Sequence, residues 1–200
     1  MTALIMFDFD GVIVDSLDDQ SAACSATLRA HGLPHLANHE QFLAFTEDNW
    51  FDAVDAAGVP EQTVTAIENA IAAVPTPPLY AGIAPVLEEL ARTNSLVVIT
   101  SSRTSAVTRI LDEHAVRGVR EVLGADHERS KTRRIRQVRA RHARGLPAWY
   151  VGDTTGDIIE ARAAGVGTVG AAWGWHGEER LRRVRPDRMA LAPADLLKIF

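Results

Sequence analysis

Two aspartates separated by one residue, Asp8 and Asp10, close a short apolar run, Leu4–Phe7, and Gly11 follows at once. Two carboxylates this close repel each other unless a cation or a proton is shared between them. Hard oxygen donors of this kind suit Mg²⁺, and Gly11 permits a tight, unusual turn. A second acidic pair, Asp153 and Asp157, lies in Val151-Gly152-Asp153-Thr154-Thr155-Gly156-Asp157, again between an apolar run and a helical pattern. With Asp8, these two could complete an octahedral Mg²⁺ site with waters. Hydroxyls follow a third apolar run in Ile99-Thr100-Ser101-Ser102, and hydroxyls with backbone N–H groups ahead of a helix make a phosphate cradle. Lys131 is one of only two lysines beside 19 arginines, and its compact ammonium can hold a phosphate oxygen and a carboxylate together. Each motif alone also reads as ordinary structure: turn acids at Asp8 and Asp10, helix caps at Asp153, Thr155 and Thr100–Ser102.

The elements that must position these groups are legible as alternating patterns. Leu4–Phe7, Leu96–Thr100, Trp149–Val151 and Val166–Gly170 are apolar on both faces, as suits central parallel strands covered by helices on each side. Between them, 85–92, 104–114 and 158–164 carry helical spacing, the last ending at Gly165. Strands alternating with helices predict an α/β doubly wound sheet. Residues 16–79 read differently. Ser16 and Asp19 make a capping-box-like helix start, Gly32 and Pro34 end that helix, and Asn38 with Gln41 offers a second start. Gly58 and Pro60 close another segment, Val64, Ile67, Ile71 and Val74 keep helical spacing, and Pro75, Pro77 and Pro78 stop it. The 64 residues are therefore expected to form a helical insertion after the first strand.

Charge marks the same boundary. Residues 16–79 hold nine acids against one base, Arg29, whereas 80–200 hold 20 bases against 14 acids. The chain as a whole is 200 residues long with a net charge of −5 and is 46% apolar, ordinary for a globular protein with a real core. The single cysteine, Cys24, cannot form an internal disulfide, and no apolar run reaches the length of a membrane span. Ala3–Phe7 lacks a preceding basic segment, so a signal peptide is not expected. These features predict a cytoplasmic protein without a membrane partner. The basic stretch with Arg129, Arg133, Arg134, Arg136, Arg139, Arg141 and Arg144 has no interleaved aromatics; it reads as a solvated helix face, and nucleic acid is not an expected partner.

In chain order the motifs run Asp-x-Asp, Thr/Ser, Lys, Gly-Asp-x-x-x-Asp, each at a strand end or beside a helix start. Over nearly the whole chain this resembles the haloacid dehalogenase superfamily of phosphotransferases, and within it the phosphoglycolate-phosphatase-like members. The resemblance implies a Rossmann-like core built from residues 1–15 and 80–200, with 16–79 as a helical cap. It implies that Asp8 is the nucleophile, Asp10 the general acid and base, and Thr100, Ser101 and Lys131 the phosphate-binding groups. Asp8, Asp153 and Asp157 would be the metal carboxylates, joined by the backbone carbonyl of Asp10. Trp173-Gly174-Trp175-His176-Gly177 is similar to a late segment of phosphoglycolate-phosphatase-like members and is expected to shape a loop.

The implied activity is Mg²⁺-dependent hydrolysis of a small phosphomonoester through an aspartyl-phosphate. Asp10 argues against dehalogenation, since dehalogenases of this superfamily lack a second aspartate there. The absence of lysine from 16–79 argues against Schiff-base members. A phosphomutase, a pyrophosphatase or a nucleotidase of the same fold stays open. So does a non-catalytic phosphate-binding or signalling domain, although a receiver-like domain would carry its acids adjacent and no such insert. Trp50 and Phe51 are candidates for an apolar cap surface or for cap-core packing, and the nine acids of 16–79 either face the cleft or face solvent.

Overall fold

The computed structural model describes residues 2–143 and 145–200; Arg144, at the end of the basic stretch, lies outside the described residues. The elements run β1 (Leu4–Phe7), α1 (Leu17–Ala30), α2 (His39–Ala44), α3 (Trp50–Ala56), α4 (Glu61–Ala72), α5 (Ile83–Ala91), β2 (Ser95–Ile99) and α6 (Thr104–Glu113). They continue with β3 (Val119–Leu123), α7 (Lys131–His142), β4 (Ala148–Gly152), α8 (Thr155–Ala164), β5 (Gly167–Ala171), α9 (Gly177–Val184), β6 (Arg188–Ala190) and α10 (Leu196–Ile199). All strand pairs are parallel, in the order β3-β2-β1-β4-β5-β6.

The four expected strands are present and two more join them. β3 and β6 escape the sequence pattern because they are edge strands, with one side open and side chains such as half-buried Val119 and exposed Arg120. The central strands are buried on both faces. Ile5, Phe7, Leu96 and Val98 pack on one side of the sheet, and Leu4, Met6, Val97 and Ile99 on the other. A side-chain period of two sends each strand into both cores. Strand order reverses between β1 and β4, the neighbours at the centre of the sheet. In open α/β sheets ligands bind outside the carboxyl ends of the strands at that switch point.

Helices α1–α4 lie between β1 and α5 and gather their own apolar cluster, including Cys24, Leu28, Phe42, Phe45, Phe51, Val54 and Ile67. The chain leaves and returns side by side: Asp15 N–H donates to Pro78 O at 2.9 Å and Tyr80 N–H to Ile13 O at 3.0 Å. Asn38 accepts from Gln41 N–H at 2.8 Å, the cap expected from its position. Ser16 departs from expectation. It stands at the N-cap of α1 but makes no capping bond; its hydroxyl donates instead to Asp10 Oδ1 at 2.7 Å. A cap would need Ser16 Oγ to accept from a helix N–H; here the hydroxyl is turned instead to donate to a buried carboxyl oxygen. No helix among the described residues is long and apolar enough to cross a membrane.

Candidate active site

Asp8 continues β1 by one residue, its N–H donating to Val151 O at 2.9 Å. Asp153 follows β4 directly. The two carboxylates therefore emerge from neighbouring strands at the switch point, and α8 adds Asp157 from its first turn. One carboxylate oxygen from each of Asp8, Asp153 and Asp157 lies within 4.8 Å of the others, and all three residues are buried. Lys131, the first residue of α7, reaches across with Nζ 2.9 Å from Asp8 Oδ2 and 2.5 Å from Asp157 Oδ1.

Remaining oxygens are held by backbone. Asp8 Oδ1 accepts from Phe9 N–H at 2.7 Å. Asp157 Oδ2 accepts from Thr154 N–H at 3.2 Å, while Thr154 Oγ1 accepts from Asp157 N–H at 3.2 Å. That reciprocal box ties Asp157 to the helix start. Asp153 Oδ2 accepts from Trp175 N–H at 2.7 Å. Asp153 Oδ1 is buried and has no partner. A buried carboxylate oxygen left unpaired is costly, and with three carboxyl groups beside one ammonium, which pairs only with Asp8 and Asp157, the cluster is short of positive charge. Its donor set, all hard oxygens, fits a divalent cation such as Mg²⁺. Two glycines make room for Asp153: a Cβ on Gly11, whose φ is +76°, would overlap its carboxylate, and a Cβ on Gly174 would overlap its Cβ and Gly11 O.

Burial, reinforced by the charge of Asp157, pushes the Asp8 carboxyl up to about 7 despite Lys131. Burial and Asp157 likewise raise Asp153 well above the carboxylate range. Asp157 goes the other way: burial opposes its charge, but the Lys131 ammonium and the Thr154 bonds outweigh it and lower the carboxyl. Burial also opposes the charge of Lys131, and Asp157 and Asp8 more than compensate, holding the ammonium well above its ordinary value.

Asp10 stands apart from this cluster. Its Oδ1 accepts from Ser16 Oγ at 2.7 Å and Gln20 Nε2 at 2.5 Å, and its Oδ2 from Ser102 Oγ at 2.6 Å. Burial raises its carboxyl, and these bonds only moderate the rise. Its side chain is thus held by Ser16, Gln20 and Ser102 and is not among the three grouped carboxylates. Thr100 is buried at the end of β2, its Oγ1 accepting from Ser102 N–H at 3.1 Å. Ser101 borders the same cavity as Asp8, Asp10, Thr100 and Lys131. All seven residues singled out from the sequence are therefore brought to one place.

Sequence reasoning missed Ser102, Ser16 and Gln20 as the clamp on Asp10. Ser16 and Gln20 are four apart at the start of α1, a spacing that puts both on one face. Arg134 is a correction to the solvated-face reading of the basic stretch. It is fully buried and donates to Thr100 O and, at 3.1 Å, to Leu123 O. Its signal was its spacing: Lys131, Arg134, Ile135 and Val138 form the buried face of α7, the i, i+3, i+4, i+7 stripe of an amphipathic helix.

The Trp173–Gly177 loop does more than shape a turn. Trp173 Nε1 donates to Val12 O at 3.1 Å. His176 joins the inserted helices to the sheet: Thr155 N–H donates to its Nδ1 at 3.0 Å, and its Nε2 lies 2.9 Å from Thr46 Oγ1. Thr46 Oγ1 donates to Leu43 O at 2.8 Å, so it accepts from His176, and Nε2 carries the imidazole proton. Gly156 N–H adds a bond to Thr46 O at 3.3 Å. Trp50 and Phe51 turn out to serve both expected roles, packing in the insertion's own cluster and bordering the cavity. The acids of 16–79 are exposed, except that Glu68 is half-buried; Glu68 and Asp48 also border the cavity.

The chain is similar to known proteins over its full length. It is 28% identical over 202 residues to phosphoglycolate phosphatase of Synechococcus elongatus, covering 97% of this chain and 95% of that protein. A shorter match, 48% identical over 52 residues and 26% of this chain, is to the pyrophosphatase PpaX of Bacillus pumilus. Among solved structures, a haloacid dehalogenase-like family hydrolase from Streptococcus pneumoniae superposes with a TM-score of 0.82 at 25% identity, covering 100% of this chain and 98% of that one. The haloacid dehalogenase-like hydrolase model matches residues 5–171, a span that holds every carboxylate of the cluster, Asp10 with its clamp, and Lys131, and the chain belongs to that family.

Proposed function

We propose that the protein is a Mg²⁺-dependent phosphatase acting on a small phosphomonoester through an aspartyl-phosphate on Asp8. The observation that carries this reading is the division of labour between two neighbouring aspartates. Asp8 faces Lys131 and the acidic cluster, whereas Asp10 is clamped by Ser16, Gln20 and Ser102. Asp8, Asp153 and Asp157, with the backbone carbonyl of Asp10, are the residues to hold Mg²⁺, which when bound supplies positive charge against the phosphate.

The protein's own groups do the rest. Lys131 and the Thr100–Ser101 segment hold the phosphate oxygens and offset their charge. An Asp8 carboxylate oxygen attacks phosphorus in line and the phosphorus–oxygen bond to the alcohol breaks. Asp10, whose carboxyl burial raises, gives its proton to the departing alkoxide. Asp10 then takes a proton from water, which attacks phosphorus and breaks the bond to Asp8, releasing phosphate and restoring both carboxyl groups. Residues 16–79 form the cap, hinged where Ile13–Asp15 pairs with Pro78–Tyr80, and close over the site to exclude water from the first step. The single buried cysteine fits a cytoplasmic setting.

The test is phosphate release with and without Mg²⁺, wild type beside Asp8→Asn. The compounds are phosphoglycolate, nucleoside and sugar monophosphates, alkyl phosphates and pyrophosphate. Mg²⁺-dependent release lost in Asp8→Asn is the expected result. No release from any compound by a folded, Mg²⁺-binding protein would overturn it. Pyrophosphate as the preferred compound would favour the pyrophosphatase alternative.

A further inference from the structure

The cavity that starts at Asp8 and Lys131 runs out between the insertion and α6, and its walls change character along the way. Apart from the polar groups it is bordered by Phe42, Ile71 and Val74 of the insertion, by Ala106 and Ile110 of α6, and by Trp175. Phe42 and Trp175 pack as a tilted aromatic pair, ring centres 5.5 Å apart. The space amounts to about 110 Å³, well above the roughly 10–15 Å³ that one water needs on the same measure.

Charge along this outer wall is unfavourable for an anion. Among the described residues three cations border the cavity: Lys131, Arg103 and Arg109. Lys131 is committed to Asp8 and Asp157. Arg103 lies 3.6 Å from Glu68 and donates to Asn69 Oδ1 at 2.8 Å. Arg109 donates to Glu113 at 2.8 Å and to Thr76 at 3.0 Å. Three further acidic residues border the space: Asp48 and Glu68 from the insertion, and Glu160, which lies near Lys131. A carboxylate or second phosphate on the leaving group would meet apolar walls, paired guanidiniums and like charge, whereas a hydrocarbon or ring would lose only water.

We infer that the preferred substrate is the phosphomonoester of an apolar, ring-bearing alcohol with no second anionic group. This rests on the phosphatase reading and says what that site selects. It sets the chain apart from a phosphoglycolate specificity, because the carboxylate of phosphoglycolate would have no free cation to meet.

The inference is tested by binding, without turnover. Three phosphonates share one head group and chain: 3-phenylpropylphosphonate, propylphosphonate and 3-phosphonopropionate. Their dissociation constants are read from the fluorescence of Trp50 and Trp175, which border the cavity, with Mg²⁺ present. The phenyl compound is expected to bind at least about tenfold tighter than the propyl compound, and the carboxylate compound more weakly than either. Ile71→Arg places a free cation in the apolar wall and should reverse the order of the propyl and carboxylate compounds. Val74→Arg, also half-buried, serves if the first variant does not fold. Equal binding of phenyl and propyl, or tighter binding of the carboxylate by the wild type, would overturn the inference while leaving the phosphatase reading intact. That reading fails separately, if the ester panel yields no phosphate. Binding of none of the three would overturn the inference as well.

Discussion

In the absence of divalent cations, raising the pH from about 5 to about 8 should destabilise this fold, whereas proteins commonly gain stability as carboxylates ionise in that direction. The cause is Asp8. Its carboxyl is pushed from 3.8 to about 7 in the folded protein by burial and by Asp157, so between those values the folded state holds a proton that the unfolded state has released. A group raised in this way contributes stability that is lost as the pH climbs through its folded value. At 1.36 kcal/mol per pH unit the loss across this window is about 3 kcal/mol, or roughly 6–12 °C in Tm for a domain of this size. Asp10 and Asp153 are raised too and act in the same direction. Asp157 is lowered, so its contribution is lost only in stronger acid. Lys131 is raised and stays charged throughout. His176, lowered by burial from 6.5, opposes the trend by gaining stability as the pH rises toward 6.5. Thermal melts across the window, with a chelator or with excess Mg²⁺, measure this directly. Mg²⁺ competes with protons for the same oxygens, so its stabilisation should be largest at the alkaline end. Asp8→Asn should make the chelator curve less steep, with Asp10 and Asp153 supplying what slope remains. A Tm that stays level or rises in chelator, or a slope retained in full by Asp8→Asn, would refute the reasoning.

Three further outcomes follow from the geometry. Lys131→Met leaves two buried carboxylates without their ammonium and should cost about 3–5 kcal/mol in urea unfolding at neutral pH, with the deficit shrinking in acid as Asp8 protonates. Asp10→Asn should nearly abolish phosphate release yet keep the Mg²⁺-induced rise in Tm, because the Asp10 side chain faces Ser16, Gln20 and Ser102 and is not among the grouped carboxylates of Asp8, Asp153 and Asp157; loss of that rise would contradict the assigned geometry. His176→Phe leaves Thr155 N–H without its acceptor and Thr46 Oγ1 without its donor, and should lower the unfolding free energy by about 1–3 kcal/mol, read from the urea midpoint.

What the chain alone determined was its central machinery. Uniformly apolar runs leading to Asp8, Thr100 and Asp153 suit interior strands, and in a doubly wound sheet their carboxyl ends face one side. Local pattern also marked the helical insertion, because Gly, Pro and Asn signals act within a few residues. Tertiary structure decided whatever depends on competition between distant partners. Ser16 carries a cap signal, yet it bonds Asp10 because folding places a buried carboxylate within reach. Arg134 sits in a run of surface-like charge, yet the rotation of α7 carries it beneath Thr100 with Ile135 and Val138. His176 gained its meaning only when Thr46 and Thr155, from opposite sides of the cleft, met on its two nitrogens. β3 and β6 could be named strands only through their neighbours, since an edge strand buries too little to impose an apolar pattern. The walls beyond the phosphate end belong to the same class. No single segment encodes an apolar cavity; it exists where the insertion and α6 face each other across a gap.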